Sequence, residues 1–190
     1  MERIKKLVGE KVYLSPVSTE DAEIFVKWMN DFNVTDYIMR SDKVVTLESE
    51  YQWLNCQTQK SEYLMSIICN DTNEVIGNIC LNEVNFVHRY GVLGIMIGED
   101  KNRSKGYGAE AIGLLLDFAF NYLNLNNVSL TVLECNHRAI RCYQKVGFKE
   151  YGRRRMCRYI NGKYYDSICM DILASEFKEE YIKNKNKDVK

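Results

Sequence analysis

Between Ile95 and Leu133 the chain reads as strand, loop, helix, strand, and no other stretch narrows the fold as much. Ile95-Met96-Ile97 is an apolar run bounded by Gly94 and Gly98, the pattern of a buried strand with turn signals at its ends. After Glu99-Asp100-Lys101-Asn102 and a glycine-bearing turn, residues 109–123 (AEAIGLLLDFAFNYL) follow a strongly helical pattern. Val128–Leu133 is the next strand. Two strands joined by a helix of this length lie parallel, through a right-handed crossover. The chain is therefore read as α/β.

The turn itself is Arg103-Ser104-Lys105-Gly106-Tyr107-Gly108. A turn that opens a helix leaves backbone N–H groups unpaired, and with the macrodipole they form an anion site suited to phosphate. Gly106 and Gly108 lack a Cβ and admit close approach, while Arg103 and Lys105 add charge. A diphosphate is the natural guest. Taken alone, the R-x-x-G-x-G pattern fits a plain helix start with two turn glycines equally well.

The flanking chain supplies more strands and helices. Lys11–Leu14 reads as a first strand closed by Pro16, and Ser18 as the N-cap of a helix carrying Ala22, Phe25, Val26 and Met29. Short helices are expected over Val34–Ile38 and Thr46–Gln59, with strands over Leu64–Cys69 and Val75–Val84. In the helix after Gly108, Glu110, Asp117, Asn121 and Asn124 share one face; Ala111, Leu114, Leu115, Phe118 and Ala119 line the buried side. Another helix runs from Asn136 to Gly147. Phe148–Ile160 and Tyr164–Leu173 flank Asn161-Gly162, the strongest short hairpin signal. The expected fold is one domain over 1–190, with a mixed, splayed sheet of about seven strands and helices on both faces. The charged tail, 176–190, reads as a frayed helix end.

Charge excludes several functions. Lys plus Arg and Asp plus Glu stand at 26 each, which argues against a nucleic-acid coat or a membrane-surface binder. No apolar run approaches the ~20 residues of a membrane span, and MERIKKLVGE lacks the apolar core of a signal peptide. Seven cysteines without a C-x-x-C pair read as reduced thiols in a cytoplasmic protein. With His88 and His137 as the only histidines, no metal site is expected. Arg153-Arg154-Arg155 reads as a solvated outer strand, His88 as surface, and Trp28, Tyr37 and Trp53 mostly as core.

Asn136-His137-Arg138-Ala139-Ile140-Arg141-Cys142-Tyr143-Gln144-Lys145-Val146-Gly147-Phe148 follows the fifth inferred strand. Together with the upstream R-x-x-G-x-G, this N-x-x-A-I-x-x-Y-x-x-x-G-F pattern resembles the GNAT superfamily of acetyl-CoA-dependent N-acetyltransferases. The similarity covers 10–175, and the branch is that of ribosomal-protein N-terminal and spermidine acetyltransferases. What it implies is specific. Arg103, Ser104, Lys105, Gly106, Tyr107 and Gly108 would hold the pyrophosphate of acetyl-CoA, the co-substrate. Ile95, Met96 and Ile97 would offer main-chain groups to pantetheine, as to an added strand. Asn136 would meet its far end, and Tyr143 would be the general acid toward the departing thiolate. Reference pKa values of about 8.5 for a thiol and about 10 for a phenol make a neutral tyrosine a sensible donor at pH 7. On its own spacing, Tyr143 shares a face with Ala139 and Ile140 and reads as core; the motif turns the reading to the acid.

The glutamate base of many relatives is missing: the corresponding positions hold apolar residues or Thr131, leaving Glu83 and Glu134 as candidates beside a water relay or an amine that arrives already neutral, and the base is unassigned. The expected partner besides acetyl-CoA is an amine acceptor, and a homodimer is compatible with the resemblance. Asp31, Asp36, Asp42, Glu48 and Glu50 in the N-terminal region suit a polyamine, whereas Arg40 and Lys43 oppose one. The stretch Asn82–Arg89 resembles the spermidine branch, and the resemblance implies an acceptor pocket built from the N-terminal region that holds Trp28, Tyr37 and Trp53. A peptide or protein N-terminal α-amine is the favoured acceptor, spermidine the alternative, and a non-catalytic acyl-CoA-binding regulatory module the rival from another class.

Overall fold

The computed structural model describes residues 3–60 and 63–184. Its strands are β1 (Leu7–Val8), β2 (Val12–Pro16), β3 (Leu64–Cys69), β4 (Val75–Asn85), β5 (Tyr90–Ile97), β6 (Asn127–Leu133), β7 (Lys149–Ile160) and β8 (Lys163–Leu173). Its helices are α1 (Ala22–Met29), α2 (Phe32–Thr35), α3 (Leu47–Lys60), α4 (Tyr107–Asn121) and α5 (His137–Val146). The strands form one eight-stranded sheet in the order β1-β2-β3-β4-β5-β6-β8-β7. Every neighbouring pair is antiparallel except β5–β6, the parallel crossover through α4.

Strand alternation divides the core between the two faces of the sheet. Met96 packs with Ala22, Phe25, Trp28 and Leu54 of α1 and α3. Ile95 and Ile97 point the other way, into the cluster of α4, α5 and the sheet. Central β3 is buried along its whole length. Ser18 caps the first helical turn, and Asp21 closes a capping box with it. Asp21 is also a buried anchor, accepting from Ser66 Oγ (2.6 Å) and from Arg3. The Asn161-Gly162 hairpin has φ +46° and +82°, as a two-residue type I′ loop requires, and pairs Ile160 with Lys163.

Three expectations change. The sheet gains β1, a two-residue strand on Leu14 and Tyr13 that is too short to carry a periodic signal. Gly94 lies inside β5 instead of at its start. Finally, 178–184 form no helix, and 185–190 lie outside the described residues. The C-terminal segment folds back over α4: Phe177 packs on Phe120 (5.5 Å between centroids), and Tyr181 lies where Gly113 has no side chain. Ile182 is buried, and Lys183 N–H donates to the Val8 carbonyl.

That cover explains why Asp117 is buried rather than on a solvent face. Its carboxylate accepts from the N–H groups of Tyr181 (2.8 Å) and Ile182 (3.0 Å) and from Asn121 Nδ2. Asp117→Ala is expected to release the segment and cost ~2–4 kcal/mol, the worth of hydrogen bonds to a charged acceptor. Urea denaturation measures the loss, and limited proteolysis should show earlier cleavage after Leu173.

Candidate active site

The parallel pair β5–β6 is in register only at Tyr90–Asn127, Gly91–Val128 and Val92–Ser129. Beyond Val92 the two strands part, while β5 stays paired to β4 and β6 to β8. From Leu93 to Met96, β5 therefore turns an open backbone edge toward β6, and at Ile97 the carbonyl is taken by Arg103 Nε (3.2 Å). A cleft of about 960 Å³ runs through this gap, lined by residues 92–97 of β5 and by Thr131 and Val132 of β6. An extended ligand arm can add to that edge as a strand does.

One end of the cleft is the phosphate-type turn. Ser104 (φ +61°) and Gly106 (φ +89°) are left-handed, and Gly106 is the N-cap of α4, with no side chain capping it. The first-turn N–H groups of α4 are thus open to an anion, with Ser104, Gly106, Gly108 and Ala109 on the cleft wall. Lys11 Nζ donates to the Lys105 carbonyl (3.2 Å) and so stands beside the turn. Arg138, Arg141 and Lys145 line the same half of the cleft. The open amides, left-handed glycine and surrounding cations fit a diphosphate.

Arg103 is placed differently from its neighbours. Its guanidinium, largely buried, donates to the carbonyls of Ile97 (3.2 Å), Gly98 (2.8 Å) and Asn33 (3.2 Å) and pairs with Asp100 at 2.7 Å. It braces the end of β5 and α2 against the turn.

Asn136 and Tyr143 come together on α5 beside the gap. Asn136 Oδ1 caps α5 by accepting from Ala139 N–H (3.1 Å), while its Nδ2 has no protein partner among the described residues. Gly147 (φ +111°) ends the helix. Tyr143 is 9% exposed and stands edge-on to Phe148, with centroids 5.9 Å apart. It also lines the cleft, and its hydroxyl has no hydrogen-bond partner among the described residues. Burial pushes its phenol well above the usual tyrosine range, so the proton stays on Oη through neutral pH. The core and donor readings of Tyr143 describe two ends of one side chain. Burial likewise raises the thiols of Cys80 and Cys142, also in the wall, and both stay protonated.

The opposite half of the cleft is built from the N-terminal helices and β4. Phe25, Met29 and Val34 give it an apolar floor, and Asn78 and Asn82 add polar groups. Tyr37 and Trp53, expected in the core, are about two-fifths exposed and line this mouth; Trp28 is core as expected. Arg40 and Lys43 also reach the wall.

A family model described as an acetyltransferase (GNAT) domain matches residues 11–149. The chain belongs to the GNAT acetyltransferases. An uncharacterised N-acetyltransferase derived from the SPbeta prophage of Bacillus subtilis is 28% identical, over 89% of this chain and 93% of its own length. The spermidine N(1)-acetyltransferase of Escherichia coli K12 is 29% identical, over 91% of each chain. Among solved structures, the Vibrio cholerae spermidine N-acetyltransferase in complex with CoA and spermine superposes with a TM-score of 0.79 at 26% identity, covering 87% of this chain and 97% of that one. A GNAT-family structure from Bacillus anthracis, at 22% identity and TM-score 0.78, shares the fold, with 90% and 99% covered. The protein is thus of the acetyl-CoA-dependent N-acetyltransferase family.

For a GNAT acetyltransferase the placement of acids in this cleft matters. Glu134 accepts from Asp166 N–H (2.9 Å) and faces Arg153 at 3.9 Å; Glu83 is exposed at an irregular point of β4. Neither lines the cleft, whereas Thr131 does. Of the five N-terminal acids, Asp31 caps α2, Asp42 pairs with Lys43, and Glu48 accepts from Gln52. Glu50 alone among the five is in the wall. The sequence carried a signal for it: Glu50 stands four residues before buried Leu54, on the inward face of α3.

Proposed function

We propose that this enzyme acetylates a singly charged primary amine, with a peptide or protein N-terminal α-amine favoured, and that Tyr143 is its proton donor. Acetyl-CoA supplies the activated acetyl thioester. The chain's residues do the rest by binding and orientation. The turn Arg103–Gly108 offers backbone N–H groups to the pyrophosphate, with Lys11 and Lys105 adding charge and the Arg103 guanidinium bracing the loop. The open edge at Ile95 and Met96 aligns the pantetheine arm, Asn136 Nδ2 offers a donor near its end, and Tyr143 Oη holds a proton at the gap.

The observation that carries the acceptor reading is the charge of the acceptor half. Arg40 and Lys43 line it, and four of the five acids that could hold a polycation do not. Each ammonium left unpaired in such a pocket is costly. An α-amino group, with a pKa of about 8 against about 10 for an alkyl amine, is more often neutral at pH 7, which suits a cleft that Glu83 and Glu134 do not reach. The second reading, polyamine acetylation, is supported by the relatives named for spermidine. Thiol release at matched pH should give kcat/KM about tenfold or more higher for short peptides than for spermidine. The reverse order would sink the peptide choice and leave acetyl transfer standing.

A further inference from the structure

Three buried acids lie among the described residues, and two of them are fully served. Asp21 holds Arg3 and Ser66, and Asp117 holds the backbone of the C-terminal segment. Glu50 is the exception. It is 7% exposed, yet its carboxylate has no hydrogen bond or ion pair among the described residues. Burial raises its pKa, as expected of an acid that pays for desolvation without a partner. It is also the only carboxylate among the described residues lining the 960 Å³ cleft.

A buried, unpartnered carboxylate opening on a cleft is a site for a donor that arrives with a ligand. The geometry points to Glu50 as the counter-ion of the acceptor's ammonium, selecting an amine with one positive charge and an apolar or aromatic body. This rests on the acceptor reading above and names the residue that enforces it. Phe25, Met29, Val34 and Trp53 share the wall with Glu50 and suit the apolar body, with the two aromatic faces able to add cation–π attraction. Arg40, exposed at the same mouth, repels a second cation and accommodates the carbonyl oxygens that follow a peptide's α-amine, while Lys43 beside it is held by Asp42 at 3.0 Å. One inward carboxylate and the Arg40 guanidinium in the same wall make a filter for monocations.

The test uses Glu50→Gln, which keeps the shape and removes the charge, with Glu50→Asp as the conservative partner. The probes are alanyl-phenylalanine amide, a monocation with an aromatic group, and spermidine. For Glu50→Gln, kcat/KM with the dipeptide amide should fall about tenfold or more, through KM, because a buried charge pair loses one partner. KM for acetyl-CoA should not move, and Glu50→Asp should recover part of the loss. The melting temperature should hold or rise, since an unpaired buried charge has gone. Rates within about twofold of wild type would overturn the proposal. So would a lower melting temperature together with a raised KM for acetyl-CoA, which would make Glu50 structural, or a wild-type enzyme inert to both probes. A wild-type preference for spermidine would sink the peptide reading and overturn the selection for monocations; an equal loss of the spermidine rate in Glu50→Gln would then support Glu50 as the ammonium's partner alone.

Discussion

Gly106→Val is expected to remove measurable acetyl-CoA binding, weakening it by ~10²-fold or more while the fold survives. The residue sits at φ +89°, where an L side chain is strained by ~1–3 kcal/mol whatever room surrounds it. It is also the N-cap of α4, with no side chain competing for the first-turn N–H groups. A β-branched residue either moves the turn out of its left-handed state or closes the approach to those amides. Its Cβ would already stand 3.3 Å from Lys11 Nζ, the cation beside the turn. Gly108→Ala is the companion, because a Cβ there meets Ile97 and Cys142 only at 3.8 and 3.9 Å, ordinary contact. It should fold as wild type, so any loss of affinity reports ligand approach and not strain. Calorimetry with acetyl-CoA gives both values, and a thermal melt shows whether each variant folds. Unchanged affinity in folded Gly106→Val would take the coenzyme away from this turn.

What could be read from the sequence was local. Asn161-Gly162 located its hairpin to the residue because positive φ at two successive positions is a property of those side chains. Asn136 and Gly147 marked both ends of α5 for a similar reason, one capping N–H groups and the other entering the left-handed region. Matters that depend on what packs across from an element were not legible. Asp117 looked solvent-facing because nothing local announced that 174–184 would cover α4. Tyr37 and Trp53 looked like core because aromatic residues on helices usually are, and only the gap between β5 and β6 turns them into a cleft mouth. Arg103 looked like a phosphate ligand by position, yet its guanidinium turns back onto the carbonyls of Ile97, Gly98 and Asn33. The half of the cleft at the Arg103–Gly108 turn is a local motif. The half at α1 to α3 is a product of tertiary packing, and its one inward acid, Glu50, was visible only as an interruption in an apolar face.

Tyr143→Phe should lower kcat by ~10²-fold or more and leave acetyl-CoA affinity nearly unchanged. The substitution keeps the ring that packs against Phe148 and removes only the hydroxyl, so the core should hold and the melting temperature stay close to wild type. The hydroxyl is the part with no structural duty: among the described residues nothing accepts from it, and the ring beside it lines the gap. Burial makes Oη a donor that keeps its proton, since the charged form is the one disfavoured. The sign gives a second check. A phenol raised above its ordinary 10.0 does not ionise as pH climbs toward that value, so Tyr143 should impose no falling limb on the kcat profile below pH 10. Initial rates for wild type and Tyr143→Phe between pH 6.5 and about 9.5 should therefore run parallel, offset by the same factor throughout. Turnover near wild type in the folded variant would return Tyr143 to a packing role. A wild-type limb that falls in this range and vanishes in Tyr143→Phe would show instead that the phenol titrates there, contrary to its burial.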